Sequence, residues 1–305
     1  MTQLLGIFLN VLVPVFSLVM LGYLVGPRLE LEVRTLSRLA YFVLTPVFVF
    51  SVLSQTRIEA TLAGRMIGFI TLVYVGTIIV AFITARALRR PAAMTAAYVM
   101  IAAFGNVGNF GLPIIQFAEG PEALGIATVY FLANLVLAFV VCVTAANFSR
   151  GFSLSILGQV FRTPALLALA PALLVNWFEI SLPNVVTRPL ELLSGALIPI
   201  MLLVLGTQLA AAGIPKLNAD LLISSGIRLI IGPLIAFATV GWFALPDLER
   251  NVGILQASMP TAVLVSIIAM ENKLLPEFVT ATVLFSNAIS IVSLAIVLLV
   301  LNGGF

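Results

Sequence analysis

The chain has 305 residues, 62% of them hydrophobic and only 9% charged, with a mean hydropathy of +1.21. Soluble domains carry about 25% charged residues, so the composition excludes a soluble globular protein and fits an all-α integral membrane protein. There is no histidine, and the single cysteine, Cys142, lies in an apolar run. A disulfide framework and a Cys/His metal site are therefore excluded, and the net charge of +3 is scattered rather than gathered into a nucleic-acid-binding patch.

A helix needs about 20 apolar residues to span the hydrocarbon core. Cutting at charges and Pro/Gly clusters predicts ten spans, joined by short connections. The first, 4–25, has no basic leader and runs long, which argues against a cleaved signal peptide. The second and third follow at 36–55, with Pro46 as a kink or packing notch, and at 65–86. The fourth, 92–118, contains "GNVGNFGLP" (Gly105–Pro113), a poor sequence for a continuous helix in lipid. Next come 122–147, 163–179 and 189–211, the last with Pro199. The eighth, 220–244, holds Pro233 and a lone charge, Arg228. The ninth, 250–271, is interrupted by "QASMPTA" (Gln256–Ala262), and the tenth is 277–301. Transmembrane β-strands would instead alternate polar and apolar in segments of about ten.

Orientation follows from the Lys/Arg bias of short loops. One side holds Arg28, Arg34, Arg38, Arg86, Arg89, Arg90, Arg150, Arg162, Lys216 and Lys273; the other holds Arg57, Arg65, Arg188 and Arg250. Both termini are expected outside. Arg228, about eight residues into its helix, lies roughly 12 Å deep at 1.5 Å per residue. It reads either as snorkelling to the inner interface or as a gate or anion-attracting charge in the inner vestibule.

Sliding the chain by 153 lays "VLTPVFVFSVLSQ" (43–55) over "ALIPIMLLVLGTQ" (196–208), matching Leu44/Leu197, Pro46/Pro199 and Gln55/Gln208. A shift of 154 lays "ATVYF" (127–131) over "ATVLF" (281–285) and the first break over the second. This predicts a duplication, 1–152 and 153–305, with five helices in each half. Five is odd, so the second half enters the membrane from the opposite side. That is the inverted-repeat plan of secondary transporters, with sites where interrupted helices meet.

Freed backbone in the breaks must be buried or line an aqueous cavity. Pro113 and Pro260 cannot donate helical hydrogen bonds, and Gly105, Gly108 and Gly111 ease departure from helical φ/ψ. Asn106, Asn109, Gln256, Ser258 and Thr261 supply polar groups at bilayer depth. Half-helix N-termini there suit a carboxylate or another small anion. The bland reading of each feature is a kink with tight packing.

"GNVGNFGLP" resembles the Asn-x-Gly-Asn-x-Gly-Leu-Pro signature of the auxin efflux carrier family, and "QASMPTAV" resembles its Pro-containing ninth helix. The resemblance covers essentially the whole chain, and the short connection between the fifth and sixth helices resembles bacterial members. It implies a fold like that of bile-acid/sodium symporters, with helices 4 and 9 crossing at their unwound centres. It also implies a transport domain (helices 3–5 and 8–10) moving on a scaffold (1, 2, 6 and 7) in an elevator cycle, a scaffold-mediated homodimer, and a bacterial plasma-membrane location. Family asparagines in helix 5 point to Asn134, with Asn287 near the equivalent place in helix 10.

The expected substrate-binding set is thus Asn106, Gly108, Asn109, Gly111, Pro113, Asn134, Gln256, Ser258, Pro260 and Thr261, with Asn287 and Arg228 as outer members. Every acidic residue lies near a helix end, so a proton relay has no evident carrier, and the second break lacks the carboxylate that the sodium symporters place there. The leading reading is a cofactor-free carrier or uniporter exporting a small organic anion: a mono- or dicarboxylate such as malate or malonate, or an indole carboxylate. Na⁺ or H⁺ coupling stays open, with a sodium-coupled symporter as the alternative. A channel or receptor ranks lower. An intramembrane hydrolase lacks its catalytic set.

Overall fold

The computed structural model describes residues 6, 8–146, 162–212, 215 and 217–303. The predicted start at Leu4, the repeat boundary at 152/153, Arg150 and Lys216 lie outside them. Everything regular among the described residues is helical. In chain order the helices are α1 (Phe8–Val25), α2 (Val33–Leu53), α3 (Ala60–Ala87), α4 (Ala92–Ala103), α5 (Leu112–Glu119), α6 (Ala123–Ala146), α7 (Pro164–Trp177), α8 (Asn184–Ala212), α9 (Ala219–Phe243), α10 (Asp247–Ala257), α11 (Val263–Glu271) and α12 (Pro276–Leu301). Seven of them are long and apolar enough to cross a membrane: α1, α2, α3, α6, α8, α9 and α12.

Three predicted spans differ from the observed helices. The sixth is a 14-residue helix, α7. The fourth and ninth are each divided in two, and the unwound stretches are shorter than expected. In the first, only Phe104–Asn106 leaves helical geometry. Val107–Gly111 is a wide π turn leading into α5, a device frequent at functional sites. Pro113 follows as the second residue of α5, where its missing N–H leaves a carbonyl of the preceding turn without its helical donor. In the second break, Gln256 is still helical at the end of α10, and Met259–Ala262 carries the interruption.

Packing divides the helices into two sets. Helices α1, α2, α7 and α8 pack chiefly on one another, and α3, α4, α6 and α9–α12 chiefly among themselves. The closest crossing lies in the first set, where α1 meets α8 through glycines. A Cβ on Gly206 would stand 1.9 Å from the Val19 carbonyl oxygen, and one on Gly22 would stand 2.2 Å from that of Leu203. Small residues let backbones approach this closely without help from water. Within the second set, Arg90 and Tyr98 both bind Asp220 Oδ1, at 2.9 and 2.7 Å, tying α4 to the start of α9. Outward-facing side chains are apolar: Leu192 and Val185 on α8 are more than three-quarters exposed, as is Trp177 at the end of α7. Exposed tryptophan at a helix end is the habit of the membrane interface.

Candidate functional site

The two breaks meet each other. Gly105 and Thr261 pair as a single antiparallel bridge. The Asn106 N–H donates to the Pro260 carbonyl at 2.6 Å, and the Ala262 N–H donates to that of Phe104 at 2.8 Å. The backbone groups freed by unwinding thus satisfy one another, as they must at bilayer depth.

Side chains fasten this crossing. Asn106 donates through Nδ2 to Asn287 Oδ1 at 2.9 Å, and Asn287 donates in turn to the carbonyls of Thr261 and Val283, both at 2.8 Å. Thr261 donates from its hydroxyl to the Ile101 carbonyl, and from its N–H to Ser286 Oγ. Asn134 Nδ2 reaches the Ala103 carbonyl at 3.3 Å, and Gln256 Nε2 reaches that of Ala127 at 3.2 Å. Both amide oxygens, Asn134 Oδ1 and Gln256 Oε1, are buried without a partner among the described residues. Ser258 turns back to the Ile254 carbonyl at 2.7 Å. These are positioning contacts within the protein.

A cavity of about 1400 Å³ opens beside the crossing. Of the predicted set, Asn106, Gly108 and Asn109 line it; Gly111, Pro113, Asn134, Gln256, Ser258, Pro260, Thr261, Asn287 and Arg228 are not among its lining residues. Asn109 is half-buried, and its side chain has no hydrogen bond within the described protein. The first-turn residues Val107–Asn109 of one half-helix and Val263–Leu264 of the other border the same space. Such amides have no intrahelical acceptor, and they stand at the positive ends of the helix dipoles. Both half-helices therefore present an anion-favouring end to one cavity. The opposite wall comes from the first packing set, through Thr45, Met201, Val204 and Gln208. Arg34 and Arg38, one turn apart on α2, stand at the mouth with Glu271 and Asn272. Both arginines are exposed, and neither has an ion pair among the described residues.

Arg228 departs from the snorkelling reading and does not stand in the vestibule wall. It is fully buried, so it does not snorkel, and it does not reach the cavity surface. Its guanidinium donates to the carbonyls of Met259 (2.8 Å), Ala257 (3.0 Å) and Ala102 (3.3 Å) and to the Tyr74 hydroxyl (2.9 Å). The last carbonyls of α4 and α10 supply the acceptors that interfacial water would otherwise provide.

Broken helices joined back to back, with helix N-termini facing a deep cavity, are the construction of a membrane carrier. The model of the membrane transport protein family matches residues 7–160 and 149–298. This chain belongs to that family. The resemblance to the auxin efflux carriers is thereby borne out, and the protein is a multi-pass membrane transporter rather than an enzyme. An "Uncharacterized transporter" of Methanothermobacter thermautotrophicus is 28% identical over 285 residues, 92% of this chain and 94% of its own. A "Putative malonate transporter" of Rhizobium meliloti is 23% identical over 311 residues, 97% and 96% of the two chains. The relatedness thus spans both packing sets and both breaks.

Sequence reasoning missed three participants of this transporter's site. Tyr74 left no signal in an apolar run. Ser286, buried beside Asn287 on α12, belongs to a polar stripe with Thr282 and Ser290 that helical spacing makes visible. Gln208 lines the cavity with an Oε1 that has no partner among the described residues, and it had surfaced only as one residue of the repeat.

Proposed function

We propose that this transporter is a secondary carrier or uniporter for small organic anions: mono- or dicarboxylates such as malate or malonate, or an indole carboxylate. One observation carries the reading. The positive ends of two half-helices, with Asn106 and Asn109, border a single cavity whose mouth holds two arginines without an ion pair among the described residues. A carboxylate there would meet oriented N–H groups and an amide, and no buried carboxylate among the described residues opposes it. The name of the Rhizobium relative is in keeping with this substrate class.

The architecture we propose is ten membrane crossings in two inverted halves, 1–152 and 153–305, with α4/α5 and α10/α11 as the broken crossings. Helices α1, α2, α7 and α8 form the scaffold, and the remainder is the moving part of an elevator cycle. The division of packing, and a cavity walled by both sets, support this reading. The basic loops put both termini outside the bacterial plasma membrane, and the arginine-bearing mouth then faces the cytoplasm, ready to load an anion for export. A homodimer would use the exposed scaffold helices.

Sodium-coupled symport is the second reading. It is favoured by the unpartnered oxygens of Asn134 and Gln256, which are acceptors a cation could use. A thermal-shift screen of small carboxylates separates the two. Saturating ligand stabilises by RT ln(1 + [L]/Kd), about 2.7 kcal/mol at one hundred times Kd. Stabilisation of the wild type in Na⁺-free buffer, lost in Asn109→Ala with its unliganded midpoint kept, is the expected result. Stabilisation only with Na⁺ would select the symporter, and no response to any carboxylate would remove the anion reading.

A further inference from the structure

The geometry points to Arg228 as a tethered cation that completes the crossing in place of a dissociable one. Two helices end at this point with their C-termini converging, α4 at Ala103 and α10 at Ala257. The final carbonyls of a helix have no intrahelical donor and carry the negative end of its dipole. Here the carbonyls of Ala102, Ala257 and Met259 gather around one point, which is the composition of a cation site built from unwound backbone. The guanidinium fills it, with N···O distances of 2.8 to 3.3 Å.

The surroundings hold the cation in place. Tyr74 accepts from Arg228 Nη2 at 2.9 Å and donates to the Gln256 carbonyl at 3.2 Å, so one hydroxyl links the cation to the end of α10. The Tyr74 ring centroid lies 4.5 Å from Arg228 Cζ, close enough for a cation–π contact. No carboxylate pairs with Arg228 among the described residues. An unpaired buried charge is costly unless its surroundings compensate it, and here the compensation comes from two helix ends. A bound ion could leave at each cycle; a side chain cannot.

The cation also stands directly behind the cavity wall. Gly105 lines the cavity, and a Cβ added to it would lie 2.5 Å from Arg228 Nη2 and 2.3 Å from the Tyr74 hydroxyl. Glycine is required there for the guanidinium to approach. A charge so close behind the wall, in a medium of low dielectric, contributes positive potential to the cavity floor without touching its contents. On the carrier reading proposed above, anion movement then needs no Na⁺.

The test uses purified full-length protein in detergent, with Cys142 as the reporter. It is the chain's single cysteine and is buried on α6, so a thiol-reactive fluorophore reads its exposure on unfolding. The wild-type midpoint should not change when choline is exchanged for Na⁺ at constant ionic strength. Arg228→Ala should unfold about 5–10 °C lower and recover at least half of that loss in millimolar guanidinium, but not in tetramethylammonium. Arg228→Lys, which keeps a cation with fewer donors, should fall between the two. A wild-type midpoint that rises with Na⁺, or an Arg228→Ala deficit indifferent to guanidinium, would overturn the assignment. Should Arg228→Ala fail to fold, the wild-type Na⁺ arm and Arg228→Lys still decide. A wild type that binds no carboxylate, together with guanidinium rescue of Arg228→Ala, would defeat the carrier reading and leave the tethered cation standing.

Discussion

Asn106 and Asn109 are three residues apart in one motif, and the structure gives them different work. Asn106 is buried, and its amide is held by Asn287 while its N–H is held by Pro260. Its side chain locks the crossing. Asn109, one helical step further, lines the cavity with its polar atoms uncommitted. Polar residues at bilayer depth were visible as a group in the sequence; their partners were not, because a partner 181 residues away is set by the crossing and not by local spacing. Arg228 shows the same limit. Its depth was legible, but its acceptors are carbonyls, which every residue carries, so no side-chain pattern could announce them. Glu119, the last residue of α5 and one past the predicted span 92–118, offers a pH-dependent test at the membrane boundary. Burial raises its pKa above the ordinary 4.5, opposed by a hydrogen bond from Asn251 and by the charge of Arg250. The folded protein therefore holds this proton more tightly than the unfolded chain does. The associated stability is fully present below pH 4.5 and is lost as pH rises through the raised value. Glu119→Gln should raise the thermal midpoint at neutral pH and flatten its decline above pH 4.5. A midpoint at neutral pH below the wild type's would show that the Asn251 and Arg250 contacts outweigh desolvation.

At the scale of elements, the length of apolar runs, cut at charges and Pro/Gly clusters, located a helix near every predicted span that the structure describes. The breaks were placed in the right segments but drawn too wide. Gly and Pro mark where a helix can end, yet Val107–Gly111 stays wound as a π turn and Pro113 starts the next helix. What unwinds is the stretch that pairs with the other break, and pairing is a tertiary property. The α1–α8 crossing was equally hidden, since a glycine in an apolar run signals close approach only once its neighbour is known. Gly206→Ala should force those backbones apart and cost roughly 1–3 kcal/mol, read as a lower midpoint in thermal unfolding. The order of preference among carboxylates should be preserved, because Gly206 belongs to neither the cavity lining nor the junction of the two breaks. An unchanged midpoint would mean that α8 can slide on α1 at little cost.

For the whole molecule, composition alone placed the chain in a bilayer, and the arrangement of charge carries the functional reading. Negative helix ends converge on Arg228, positive helix ends converge on the cavity, and exposed arginines mark the mouth. Each half of the chain contributes one break, so the site exists only when the two halves meet. That dependence explains why no single motif could disclose it. The most direct test is efflux of labelled malonate from proteoliposomes without Na⁺, for the wild type and Asn109→Ala. An inside-negative potential supplies about 2.3 kcal/mol per charge per 100 mV, and it should accelerate exit through the wild type while Asn109→Ala stays at the protein-free rate. Efflux through Asn109→Ala equal to wild type, or a wild-type rate indifferent to the potential, would contradict an anion carrier working at this crossing.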